Sequence, residues 1–416
     1  MAEPLLSCQV LVVGAGPSGA HCARRLAEAG LETLLIEQQP DWSVNDFSSG
    51  GTPLETLSRY DLPESVVGRF WHQLRVETTT EQGHWRSDRV QGVVLDFAAL
   101  REFLAQACRR AGGSVLLGHR YLGRSALPGG GHQVRLKRRS DGEILTLRAE
   151  VIVDATGGAR RVIYQPGEPR PAYQAAIGSE LLVEVPEAVF EQWDNSLSFF
   201  LGHHWMPRGY GWIFPMQPNR LKVGVCWFLE PHALDLKTES YRFYLDQLLR
   251  ERIGSDYRVL DTHGGRLDYC DSLTDRYHQG SLVAIGDAVS AVNFLGGEGI
   301  RPGLETGELA AARIAEYLGG DRRALARYER QVRQRFDRAW KLTARLGRQK
   351  YLVDPDAKID RIVRLCQPLA AEDLVQILFH YRIHRLGKRL GRLVWLLLRG
   401  SVERRWQRWQ ARRASA

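Results

Sequence analysis

No stretch of this sequence approaches the roughly 20 consecutive apolar residues that a membrane-spanning helix needs. The longest late run, Leu393 to Leu398, has six. The early apolar run Val10 to Val13 breaks at once into a glycine turn and follows no basic segment, so it does not read as a signal peptide. The six cysteines, Cys8, Cys22, Cys108, Cys226, Cys270 and Cys366, include no C-x-x-C pair. Scattered single thiols argue against a disulfide scaffold and point to a cytoplasmic compartment. Metal-ligand spacing is missing too, so no metal site is expected. His203 and His204 are adjacent, and on a strand they would point to opposite faces. There is no internal repeat and no long low-complexity linker. Uncompensated charge is confined to one end. Arg382 to Arg413 carries eleven Lys or Arg residues and one acid, Glu403, against a net charge of +9 for the whole chain. Basic character is thus a property of one segment, and with no groove-reading module, nucleic acid is not an expected partner.

What is present begins with a βαβ unit. Cys8 to Val13 reads as a short buried strand, Gly14-Ala15-Gly16-Pro17-Ser18-Gly19 follows directly, and Ala20 to Ala29 is helix-forming with Gly30 as its stop. Thr33 to Ile36 is a second buried strand, closed by Glu37. Gly14 suits the tight turn, Gly16 lets backbone approach a pyrophosphate, and Gly19 allows close helix–strand packing. The helix N-terminus then offers free N–H groups and the positive end of its dipole to phosphates. A carboxylate at Glu37 accepts hydrogen bonds from ribose hydroxyls and repels a 2′-phosphate. Ala15, Pro17, Ser18 and Gln38 belong to the same candidate nucleotide site, and the bound nucleotide is FAD or NAD-like rather than NADP.

Beyond this unit, residues 38–96 read as irregular and 97–111 as a helix. Residues 114–154 read as strands and a hairpin, and 172–275 as strand-like and aromatic. Residues 303–317 and most of 321–416 read as helical. The 416 residues suit two domains and an extension.

Two later segments, Val153-Asp154-Ala155-Thr156-Gly157-Gly158 and Ala284-Ile285-Gly286-Asp287-Ala288 with Gly296-Gly297-Glu298-Gly299-Ile300, select FAD. With the first motif they resemble the flavin monooxygenase and geranylgeranyl reductase superfamily. The resemblance implies an α/β fold: a Rossmann-like FAD-binding domain of the flavin monooxygenase/glutathione reductase type, a sheet-based substrate domain and a C-terminal helical extension. Residues 1–60, 90–171 and 276–320 are assigned to the first, 61–89 and 172–275 to the second, and 321–416 to the third. It further implies that Asp287, after Gly286, binds a hydroxyl of the FAD sugar chain. The turn through Gly297, Gly299 and Ile300 would start a helix aimed at the flavin pyrimidine ring. The superfamily's arginine near the helix after residue 96 is displaced here to Arg101, which is retained as a candidate contact.

Tyr210-Gly211-Trp212-Ile213-Phe214-Pro215, with Gly224 beyond it, resembles the geranylgeranyl reductase segment Y-x-W-x-F-P…G-x-G, except that Cys226 replaces the last glycine. Alternation places Tyr210, Trp212 and Phe214 on one face, suited to a long apolar, unsaturated chain. Where relatives carry a loop cysteine this chain has serine, in Asn45 to Pro53. Ser49, Tyr210 and His203 are therefore the candidates for a proton donor. Glu230, in Trp227-Phe228-Leu229-Glu230, falls too late to match the acidic motif of lycopene cyclases and reads as a strand-end residue. The implied activity is FAD-dependent reduction of prenyl C=C bonds, with electrons from NAD(P)H or a protein donor. The alternatives are an FAD monooxygenase and a lycopene cyclase-like, non-redox flavoenzyme. In the tail, Ile383, Leu386, Leu390, Leu393, Val394 and Leu397 share a helical face beside arginines, with Trp395, Trp406 and Trp409 as anchors. That pattern suits peripheral attachment to an anionic membrane surface.

Overall fold

A computed structural model describes residues 6–44, 48–234, 236, 238–270 and 274–382. The tail from Ile383 onward and the loop residues Asn45, Asp46 and Phe47 lie outside the described residues.

An eight-stranded sheet organises the nucleotide half. Leu6–Val13 runs parallel between Thr33–Ile36 and Ile144–Asp154, so the stretch Val10 to Val13 is buried on both faces. Leu282–Ala284 extends the parallel set beside Ile144–Asp154, although it comes about 130 residues later in the chain. The helix Pro17–Glu28 starts with proline in its first turn, and Gly30 beyond it adopts φ +78°. Helix Ile300–Leu318 packs on it through small residues. A Cβ on Gly307 would lie 2.6 Å from the Ser18 carbonyl oxygen, and one on Gly303 would overlap the Ser18 hydroxyl. The glycines thus set how closely the two helices approach.

A seven-stranded sheet forms the second half. Its order runs from Arg258–Tyr269 through Gln174–Glu184, Arg220–Phe228, Gly209–Met216 and Ser196–Leu201 to Gln73–Glu77 and Gln82–Trp85. One face packs against helix Tyr241–Arg252 through Tyr244, Leu245, Leu248 and Leu249. The other carries Tyr210, Trp212, Phe214 and Phe228 toward the nucleotide half and the C-terminal helices. Those helices are Ala324–Leu352, Asp356–Cys366 and Ala371–Leu378. Among the described residues no helix is long and apolar enough to cross a membrane.

Residues 38–96, expected to be irregular, contain five strands: Gly51–Pro53, Val67–Trp71, Gln73–Glu77, Gln82–Trp85 and Gly92–Leu95. Distant partners explain part of the miss, since Gln73–Glu77 pairs in parallel with Ser196–Phe200, although it also forms a local hairpin with Gln82–Trp85. Helix Tyr241–Arg252, in a region read as strand-like, is capped by the Ser240 hydroxyl, which accepts from Phe243 N at 3.3 Å. Helix Phe97–Arg110 forms where expected, with Asp96 as its cap. His203 and His204 lie in a turn after Leu201, not on a strand.

Candidate active site

The glycine turn is shaped from behind. Gly14 adopts φ +104°, and a Cβ there would overlap the Ala155 carbonyl oxygen. One on Gly19 would overlap the Gly14 carbonyl oxygen. Gly16 differs: a Cβ there would meet nothing within 4 Å, because the position faces open space. That space is a cavity of about 650 Å³ lined by Gly14, Gly16, Pro17, Ser18, Glu37 and Gln38 at this end. Glu37 is buried; its Oε2 accepts from Ala15 N at 2.9 Å and its Oε1 from Gln39 N at 3.0 Å. Each oxygen keeps a lone pair for a further donor. Arg101, displaced in sequence, still lines the cavity, with Nε donating to Ala15 O and Nη1 to Val44 O, both at 3.3 Å. Ala15 itself is buried behind the turn and does not line the cavity.

The second motif builds a wall. Asp154 is fully buried and accepts from Thr156 N (3.0 Å), Thr156 Oγ1 (2.7 Å), Val162 N (2.8 Å) and Ile163 N (2.8 Å). Its carboxylate is spent on the turn, and it is Ala155, Thr156 and Gly157 that face the cavity. Asp287 faces the cavity, while Gly286, at φ +61°, turns the chain between strand and acid. Burial pushes the Asp287 carboxyl up to about 6, against the opposing pull of Arg160. Gly297, Gly299 and Ile300 line the same space at the start of helix Ile300–Leu318.

The cavity continues without a break onto the second sheet. Tyr210, 9% exposed, and Trp212, 5% exposed, line its apolar end. Trp212 Nε1 donates to Glu180 Oε2 at 2.7 Å. The Tyr210 hydroxyl makes no hydrogen bond among the described residues and lies so close to Gly297 that a Cβ there would overlap it. Burial holds this phenol well above its ordinary range. Phe214 shares the face but packs edge-on against Phe199 at 5.3 Å and does not line the cavity. Ser48 and Ser49 do, and the Lys222 ammonium anchors their loop by donating to Ser48 O at 2.6 Å. His203 does not: its backbone N–H donates to Asp356 at 2.8 Å and its ring packs on His232 at 5.2 Å. Of the proposed donors, then, Tyr210 and Ser49 reach the cavity and His203 lies outside it. Glu230 is also off the cavity, paired with Arg348 at 3.3 Å.

Sequence reading overlooked several wall residues. Phe228 and Cys226 lie on the same face of Arg220–Phe228 as Gly224, so two-residue periodicity could have found them. Tyr269 and Phe294 could not be found that way, and behind Phe228 and Phe294 sits Tyr351, itself off the cavity lining. Tyr351 comes from helix Ala324–Leu352, stacks on Phe228 at 5.4 Å and donates to Leu295 O at 2.6 Å. Among the described residues no group of three His, Cys, Asp or Glu side chains could hold a metal ion.

Residues 7–345 match the family described as FAD binding domain. The chain belongs to that family. A digeranylgeranylglycerophospholipid reductase of Haloferax volcanii is 28% identical over 350 residues, 80% of each chain. A chloroplastic geranylgeranyl diphosphate reductase of Oryza sativa is 27% identical, covering 88% of this chain and 79% of its own. Among solved structures, a geranylgeranyl bacteriochlorophyll reductase-like protein from Thermoplasma acidophilum superposes with TM-score 0.79 at 20% identity, covering 94% of this chain and all of the other. A p-nitrophenol 4-monooxygenase from Pseudomonas putida gives 0.68 at 16% identity, covering 89% and 96%. The architecture is therefore that of FAD-dependent reductases and monooxygenases. The cavity fits the family's cofactor. It offers an open glycine turn at a helix N-terminus, an acid at Glu37, a second at Asp287, and a helix start at Gly299.

Proposed function

We propose that the chain is an FAD-dependent reductase of C=C bonds in a prenyl substrate. The observation that carries this reading is the continuity of one cavity. Its polar end is a nucleotide cradle and its other end is walled by Tyr210, Trp212, Phe228, Tyr269 and Phe294. Gly14, Gly16, Pro17, Ser18, Glu37, Gln38, Arg101 and Asp287 would hold FAD, which when bound and reduced supplies a hydride. The names of the relatives support the substrate class.

The chain's own residues supply the rest. The aromatic walls exclude water and orient an apolar chain. An isolated alkene accepts hydride poorly, so a proton must be placed at the other carbon. Tyr210 holds that proton. Its phenol is kept neutral by burial, unengaged, and set against the Gly297 turn where the two ends of the cavity meet. Ser49 is the second donor in reach of the cavity. The electrons come from an external reductant, NAD(P)H or a protein. Six cysteines outside any disulfide support a cytoplasmic setting, and the basic tail supports docking on an anionic membrane surface.

The test is anaerobic turnover of the FAD-loaded protein with dithionite and geranylgeranyl diphosphate, read by mass spectrometry. A gain of two hydrogens per reduced bond is expected. A product of unchanged mass would instead indicate a cyclase. Product formed only with oxygen, and carrying it, would indicate a monooxygenase.

A further inference from the structure

Helix Ile300–Leu318 meets the cavity through Gly297, Gly299 and Ile300, and its first turn holds no acid. Between the two glycines, however, stands Glu298, which is 6% exposed and does not line the cavity. A carboxylate beside a helix N-terminus cancels part of the positive potential that the helix offers to an anion. A turn shaped to favour negative charge thus has a negative charge buried next to it.

Two groups take up that charge, and neither lines the cavity. Arg301, itself buried, donates to Glu298 through Nε at 2.7 Å and Nη2 at 2.9 Å. The Tyr381 hydroxyl donates to Glu298 Oε2 at 3.1 Å from 83 residues further along the chain. Arg301 Nη2 also donates to the Phe379 carbonyl oxygen. Phe379 is buried against Trp71, with ring centroids 6.3 Å apart, and a Cβ on Gly296 would lie 3.8 Å from the Leu378 carbonyl oxygen. Residues 378–381 therefore lie along the turn 296–301. Tyr381 reaches Glu298 from a backbone φ of +60°, uncommon for a residue with a Cβ. Such strain persists only where the surroundings fix it. Here the Phe379 seat and the Glu298 hydrogen bond do so. Burial, with help from the Glu298 carboxylate, holds the Tyr381 phenol well above its ordinary range, so it remains a donor. Glu55 is the other acid near Arg301; it is exposed, 4.0 Å from Nη1, and His380 faces it at 3.4 Å.

Resting on the reading of this cavity as a flavin site, we infer that Tyr381 is a positioning residue for flavin reduction. With Arg301 it holds the Glu298 carboxylate neutralised and out of the cavity. The helix N-terminus then acts undiminished on the negative charge that the flavin gains when reduced. Segment 378–381 belongs to the redox site without touching the cofactor.

The experiment measures the midpoint potential of FAD bound to the full-length protein by dye-linked reduction, so no prenyl substrate is needed. Removing the Tyr381 hydroxyl leaves more of the Glu298 charge to oppose the reduced cofactor. Y381F should therefore bind reduced FAD about three- to tenfold more weakly relative to oxidised FAD. For a two-electron couple that is a fall of about 14–30 mV. E298Q removes the charge itself and should raise the potential, and adding Y381F to E298Q should move it no further. A potential that is unchanged or raised in Y381F, or that falls as much in E298Q/Y381F relative to E298Q as in Y381F alone, would overturn the inference. Should E298Q fail to fold, the direction of the Y381F shift decides alone. A protein that takes up no FAD would overturn the flavin reading and this inference with it. One that shows the shifts yet reduces no prenyl chain would sink only the reductase reading.

Discussion

Replacing Asp287 with asparagine separates what this carboxylate does for the fold from what it does for the cofactor. In the folded chain burial raises its pKa from 3.8 to about 6. The ionised form is therefore disfavoured by folding, by about 3 kcal/mol at most. The sign follows from linkage. A raised acid contributes stability that is complete below its unfolded pKa and is lost as pH climbs through the folded value near 6. Asparagine keeps the shape and loses no such contribution. In FAD-free protein, urea unfolding should give D287N and wild type similar stability near pH 4. The variant should gain steadily as pH rises and hold an advantage of about 2–3 kcal/mol above pH 7. FAD binding should move the other way. A hydroxyl of the cofactor donates more weakly to a neutral amide oxygen than to a carboxylate, so affinity should fall about tenfold at pH 8. A stability difference that stays flat with pH would refute the argument that desolvation dominates at this site.

Tyr210→Phe removes the unengaged hydroxyl while keeping the ring; turnover should fall by about 10²–10⁴ with FAD affinity unchanged, measured by single-turnover reduction and flavin titration. Two glycine variants should part company. Gly14→Ala puts a Cβ into the Ala155 carbonyl at φ +104° and should lower the melting temperature of the FAD-free protein. Gly16→Ser meets nothing in the fold and should spare that melting temperature while weakening FAD binding. Glu298 pairs with Arg301 at 2.7 Å, both buried, so Glu298→Gln should destabilise by about 3–5 kcal/mol in urea unfolding.

The nucleotide half was legible because its constraints are local. A strand, a glycine turn, a helix and an acid within 30 residues each obey a short-range rule, and Gly14, Gly16, Gly19 and Glu37 stand where those rules put them. Asp287 was reachable only by resemblance, since no local rule aims its carboxylate at a cavity. The substrate end was half legible. Alternation oriented Tyr210, Trp212 and Phe214 correctly, but whether a residue on that face meets open space or another ring is a tertiary matter. Phe214 meets Phe199. His203 is a chemically apt side chain held by Asp356 in a turn elsewhere. Of the strands between 51 and 95, Gly51–Pro53 and Gln73–Glu77 have partners distant in sequence, whereas the local hairpin of Gln73–Glu77 with Gln82–Trp85 was overlooked within the window.

Tyr351 belongs to a helix that lines no part of the cavity, yet it backs the apolar end by stacking on Phe228 and bonding to Leu295. A substitution at 351 therefore acts on the aromatic wall from behind, through Phe228 and Phe294, without replacing any residue that lines the cavity.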